Sequence, residues 1–70
     1  RMTPLHYAAL DGRKEVVELL IAADANVNAK AAKEGGTPLD LAILDKHTET
    51  ADLLRKHGGK TGEELKAERK

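Results

Sequence analysis

Three histidines, a pair of adjacent glutamates and a glycine–lysine–threonine triplet are the residues of this 70-residue chain that chemistry could use. His6, His47 and His57 are separated by 41 and 10 residues. Those spacings match no metal-ligand motif, and no cysteine is present to complete a set. Glu63-Glu64 could divide acid and base roles between two carboxyls. They stand, however, in the first turn of a helical stretch, where the helix dipole favours acidic side chains. Gly59-Lys60-Thr61 has the ending of a phosphate-binding loop, but that motif needs a glycine five positions before Gly59, and Leu54 stands there. Serine and cysteine are both absent, which removes the usual nucleophiles. The residues therefore predict no catalysis, no metal and no cofactor.

The elements that carry these residues have to be small. Seventy residues allow one marginal domain. Apolar residues make up 40% of the chain and Tyr7 is the only aromatic, so the core is built from Leu, Ile, Val and Ala. Twelve basic residues balance twelve acidic ones, which argues against non-specific binding to nucleic acid or to an anionic membrane. The longest apolar run, residues 19–23, is far too short to span a bilayer.

The chain repeats itself with a period of 34 residues. Thr3-Pro4-Leu5 returns as Thr37-Pro38-Leu39, and Ala8, Leu10, Asp11, Glu15, Leu19 and Leu20 return as Ala42, Leu44, Asp45, Glu49, Leu53 and Leu54. Each unit reads as helix–turn–helix. Thr3 and Thr37 are N-caps with proline at the first helical position, and Asp40 completes a capping box with Thr37. Helices are expected at about 4–11, 14–23, 38–45 and 48–57. Val16, Val17, Leu19, Leu20 and Ala23 give the second helix its apolar side. Gly12 supplies a positive φ at the first turn, and Gly58-Gly59 ends the fourth helix. A polar stretch from Asn26 to Gly36 reads as a projecting, hairpin-like loop. Thr61 and Glu64 form a further capping box that opens a last helix at about 62–69, polar enough to act as a terminal cap.

These residues resemble the ankyrin repeat. The match runs through Thr3-Pro4-Leu5-His6, Ala8-Ala9, Glu15-Val16-Val17, Leu19-Leu20 and Val27-Asn28-Ala29, and restarts at Thr37-Pro38-Leu39. The resemblance implies an all-α solenoid of stacked helix-turn-helix units with β-hairpin-like loops. It covers one domain, 1–70: repeat 1 at about 2–35, repeat 2 at about 36–60 and the cap at about 61–70. It also implies an intracellular setting and a non-enzymatic, protein-binding role. His6 sits where the family bonds a threonine hydroxyl and ties repeats together, and Asn28 where an asparagine stiffens the loop or, in some members, is hydroxylated.

Four departures stand out. Asp24 occupies a position usually held by glycine, and Lys46 replaces the turn glycine that Gly12 provides. Asp40 replaces the histidine seen at His6, which is expected to remove a hydrogen bond between repeats. The loop is one residue longer than usual.

The family's binding surface combines the concave face of the short helices with the loop tips. It maps onto Met2, Leu10, Asp11 and Lys14 in repeat 1, and onto Lys33, Glu34, Gly36, Leu44, Asp45 and Thr48 in repeat 2. Leu10 and Leu44 stand open between binding and plain packing. The expected function is protein–protein interaction, with no nucleic-acid or membrane partner. The rival is an assembly piece that stacks on neighbouring repeats or on a second copy. The first helix presents Leu5, Tyr7, Ala8 and Ala9, so the N-terminal face is expected to be a sticky edge able to form a two-fold homodimer.

Overall fold

A computed structural model of the protein describes residues 2–31 and 36–68. Five helices follow in order: α1 (Pro4–Leu10), α2 (Lys14–Ala22), α3 (Pro38–Leu44), α4 (Thr48–Lys56) and α5 (Gly62–Glu68). The expected helices are all there, the first four each one residue shorter at its carboxyl end. That last expected residue in α1 to α4 is the C-cap, already leaving helical geometry.

Thr3 and Thr37 enter α1 and α3 with extended backbone, and each accepts a hydrogen bond from the amide three residues on. His6 and Asp40 return the bond to the threonine N–H, at 3.0 Å in both cases. Four helices then end in one manner. Gly12, Asp24, Lys46 and Gly58 take positive φ. The next residue's N–H reaches back five positions, as in Arg13 to Ala8, Ala25 to Leu20, His47 to Ala42 and Gly59 to Leu54. Asp24 and Lys46 therefore do adopt the left-handed backbone that glycine adopts at the equivalent steps.

Helices α1 and α3 form one layer and α2 and α4 a second, while each unit also packs α1 on α2 and α3 on α4. Leu5, Ala8, Ala9, Val17, Leu39, Ala42 and Leu54 are buried between them. Alanine predominates where the short helices meet, which lets their backbones approach closely. Helix α5 has no comparable packing against any other helix among the described residues.

Three expectations need correction. Helix α2 does not bury the side expected of it: Val17 is fully buried with Leu20 and Ile21 beside it, but Val16 is 39% and Leu19 70% exposed. One step along a helix turns the side chain by about 100°, and the stack takes only the stripe around Val17. Leu5 and Ala9 are buried inside the stack and do not contribute to the N-terminal face. Asp40, in place of histidine, keeps a bond to the next segment with its polarity reversed. His6 Nε2 donates to the Gly36 carbonyl at 3.0 Å, whereas Asp40 Oδ2 accepts from the Gly62 N–H at 2.8 Å. The carbonyl before the following N-cap is still bonded, because the Thr37 hydroxyl donates to Lys60 O at 2.6 Å.

The inter-unit loop carries no strand among its described residues. Its closure resembles a hairpin only in the Ala31 N–H bond to Gly36 O, at 3.0 Å. Asn28 clamps the turn after α4. Its amide donates to Gly58 O at 3.1 Å and its carbonyl accepts from Lys60 N–H at 2.7 Å. The side chain does bond backbone, as the resemblance implied, and the backbone belongs to the next unit.

Candidate functional site

The carboxyl ends of α1 and α3 lie side by side, because α1 packs on α3 and His47, at the N-cap of α4, donates from Nε2 to Leu10 O at 2.9 Å. Each end presents the same pair, Leu10-Asp11 and Leu44-Asp45. Leu44 is 70% exposed and Leu10 half-buried, and both aspartates are exposed C-caps. Neither helix has a basic residue in its last turn. Two carboxylates thus sit at the negative ends of two helix dipoles, where stability alone favours cations. Arg13 offers only a loose counter-charge, 3.9 Å from Asp11.

Thr48 is exposed beside this edge. Lys14 is held by Glu49 across the α2–α4 junction at 3.0 Å. The hydrogen bond and charge of Glu49 raise the Lys14 ammonium above its usual pKa. Gly36 is half-buried and its carbonyl is taken by His6. Met2 lies elsewhere, in a groove along the N-terminal side of α1. Lys33 and Glu34 lie outside the described residues. Of the ten expected positions, the structure unites Leu10, Asp11, Leu44, Asp45 and Thr48.

Two surfaces go beyond the sequence reading. One is the N-terminal face, expected from Tyr7 and Ala8 of the first helix, which is a groove of about 590 Å³ that Val16 and Leu20 of α2 also line, with Met2 and Pro4. Its signal was available in Val16, which the repeat replaces by Thr50 where the face is covered. The second is a cavity of about 390 Å³ on the opposite side of the stack, around Ile43 and Ala51.

The candidate chemistry is used for structure. His6 and His47 each bond backbone across the junction between units, and His57 caps the end of α4. No metal-holding group of side chains occurs among the described residues. The Lys60 backbone is held on both sides by Asn28 and Thr37, and its ammonium pairs with Glu68. Glu64 caps the Thr61 N–H at 2.9 Å and meets Arg55 at 3.1 Å. The Thr61 backbone bond first, then Arg55, lowers its carboxyl below the usual value. No helix among the described residues is long and apolar enough to cross a membrane.

A family model described as ankyrin repeats (3 copies) matches residues 1–64. The match reaches into α5, whose Thr61–Glu64 capping box repeats those of Thr3 and Thr37. Over 55 residues the chain is 47% identical to Rabankyrin-5 of Mus musculus, covering 79% of this chain and 5% of that protein. It is 43% identical over 58 residues to Serine/threonine-protein kinase 12 of Arabidopsis thaliana, covering 83% and 12%. It is 55% identical over 40 residues to Palmitoyltransferase ZDHHC17 of Danio rerio, covering 57% and 6%. The chain spans at most 12% of these curated relatives, so the activities in two of their names are said of those proteins. Repeats of this kind are generally protein–protein interaction modules. Paired helices, shared capping boxes, histidine ties and the extent of the match together show that this chain belongs to the ankyrin-repeat family.

Proposed function

We propose that the chain is a non-enzymatic interaction module, one domain over 1–70, that binds a protein partner through the concave edge of α1 and α3 and the tip of the loop before α3. The observation that carries this is the duplicated Leu-Asp pair. Leu44 is left 70% exposed on a helix that buries Leu39 and Ala42 completely. Asp11 and Asp45 occupy helix ends where acids weaken the fold. Apolar anchors flanked by charge are the composition of binding hot spots. Balanced surface charge favours a protein over nucleic acid or a membrane surface.

The test is the double substitution Leu44→Arg with Asp45→Arg. A partner isolated with the unaltered chain should lose affinity for the variant by about 100-fold or more, with its helical circular dichroism kept and its melting temperature no lower. A variant that unfolds would show that these side chains hold the core. One that binds normally would move the surface elsewhere.

A second reading, self-association through the N-terminal face, is favoured by the apolar groove along α1. Met2, Tyr7 and Val16 line it, and Asp11 and Arg13 bring one charge of each sign to the same rim. A two-fold axis would set acid against base there, as an isologous contact needs.

A further inference from the structure

We infer that the cleft between the end of α4 and α5 is a binding site for an acidic helix of a protein partner, and that α5 is the occupant which such a helix displaces. A gap of about 440 Å³ separates the two elements, lined on the stack by Arg55, Gly58, Gly59 and Lys60. Glu64, Ala67 and Glu68 line it from α5. They stand three and four residues apart and so share one face of the helix. Arg55 Nη1 donates to both carboxylate oxygens of Glu64, at 3.1 and 3.2 Å, and Lys60 pairs with Glu68. The structure thus shows two cations on the stack, each already holding a carboxylate of one helical face. This charge sets the cleft apart from the junction between units. One period earlier the counterpart of Arg55 is Ile21, packed against the core. A further unit laid here would cover the guanidinium with apolar side chains and leave it unpaired, which is costly.

The floor between the two cations is backbone. A Cβ at Gly59 would stand 2.7 Å from Leu54 O, and Gly58 holds a φ of 88°. Filling the gap falls to the helix above, where Ala67 offers a single methyl. Helix α5 also holds its place weakly. It buries no residue, and it has no comparable packing against another helix among the described residues. Both ion pairs are about half-exposed, where such pairs contribute little. Its advantage is the tether, which keeps its local concentration high. A partner helix with glutamates four residues apart satisfies Arg55 and Lys60 as α5 does. A large apolar residue just before the second glutamate would fill the space that Ala67 leaves.

This cleft is separate from the concave edge, and it stands or falls without it. The probes are synthetic peptides of residues 60–68: one unaltered, one with Ala67→Leu, and one with Ala67→Leu, Glu64→Lys and Glu68→Lys. Each is titrated into the isotopically labelled full chain and followed by amide chemical shifts. The leucine peptide should shift Arg55, Gly58 and Gly59 while the signals of residues 62–68 move to unfolded positions. Its affinity should be about tenfold above that of the unaltered peptide. Glu64→Gln with Glu68→Gln in the chain loosens the resident helix and should tighten the leucine peptide severalfold. Arg55→Glu in the chain should abolish the shifts. Should that variant fail to fold, the lysine-bearing peptide decides the matter, since it should not bind. No shifts at millimolar concentration overturn the proposal, as does equal binding of the lysine-bearing peptide. Shifts at Gly58 and Gly59 with residues 62–68 unmoved would overturn the displacement of α5.

Discussion

The imidazole of His47 occupies the space that a side chain on Gly12 would need, closing to 2.5 Å of an ideal Cβ there, while its Nε2 caps Leu10 O. One contact thus links the turn of the first unit to the start of α4. It also explains why glycine stands at the first turn. Gly12→Ala should therefore combine left-handed strain with a clash and cost about 1–3 kcal/mol in chemical denaturation. A loss below a few tenths would mean that the ring simply moves aside.

Lys46 has the opposite expectation. It carries a φ of 59° and its side chain is exposed. Lys46→Gly should stabilise the protein by about 0.5–1 kcal/mol, and the paired measurement with Gly12→Ala separates backbone strain from the His47 contact. A destabilised Lys46→Gly variant would show that the aliphatic stem covers apolar surface.

Asn28 was legible in the sequence as a loop-stiffening residue, but its partners were not. They lie 30 and 32 residues away, brought close only by stacking. The same limit applies elsewhere. Caps, helix bounds and the left-handed turns follow from neighbours within four residues, so Thr3, Thr37, Thr61 and Asp24 announced them. Which side of α2 is buried depends on what packs against it, and a chain of Val16, Val17, Leu19, Leu20 and Ile21 is apolar nearly all round. Asp40 was misread because a donor was sought at a position where an acceptor serves. For the binding edge, repetition identified Leu44 and Asp45, while Met2 and Gly36 were carried along by family register alone. Asn28→Ala should remove both bonds to the Gly58–Lys60 turn and cost about 1–2 kcal/mol. Faster hydrogen exchange at Lys60 should accompany it.

Acid should loosen α5 before the stack. Glu64 has its carboxyl lowered from the ordinary 4.5 by the Thr61 N–H and by Arg55. A depressed folded value contributes stability that is present above the unfolded value and lost as the pH falls through the folded one. The amide signals of residues 62–68 should therefore shift or broaden as pH drops below about 4.5, while Leu39 and Leu54 stay native-like. Glu64→Gln should remove that step. If α5 and the core respond together, the cap and the stack melt as one unit.

The N-terminal face yields the last expectation. Tyr7 is 57% exposed, and Val16 and Leu20 line the same groove. One period on, their counterparts Thr50 and Leu54 are buried beneath the first unit. The face is thus built like a covered one and is more apolar than its covered counterpart, Val16 standing where Thr50 does. Two stacked units offer little interior, so covering this groove is a gain available to them. Head-to-tail association would bring Arg13, the counterpart of His47, against Lys46, like charge on like. Joining two N-terminal faces avoids this, with Arg13 of one protomer placed against acidic Asp11 of its partner. Sedimentation should then show a monomer–dimer equilibrium, and each tenfold rise in concentration should add about 1.4 kcal/mol to the dimer's apparent stability. Val16→Glu should leave the helical spectrum intact and make the melt independent of concentration. A wild-type chain that stays monomeric at millimolar concentration, with a melt that does not move, would show that two units and α5 are stable alone and that the groove serves no self-association.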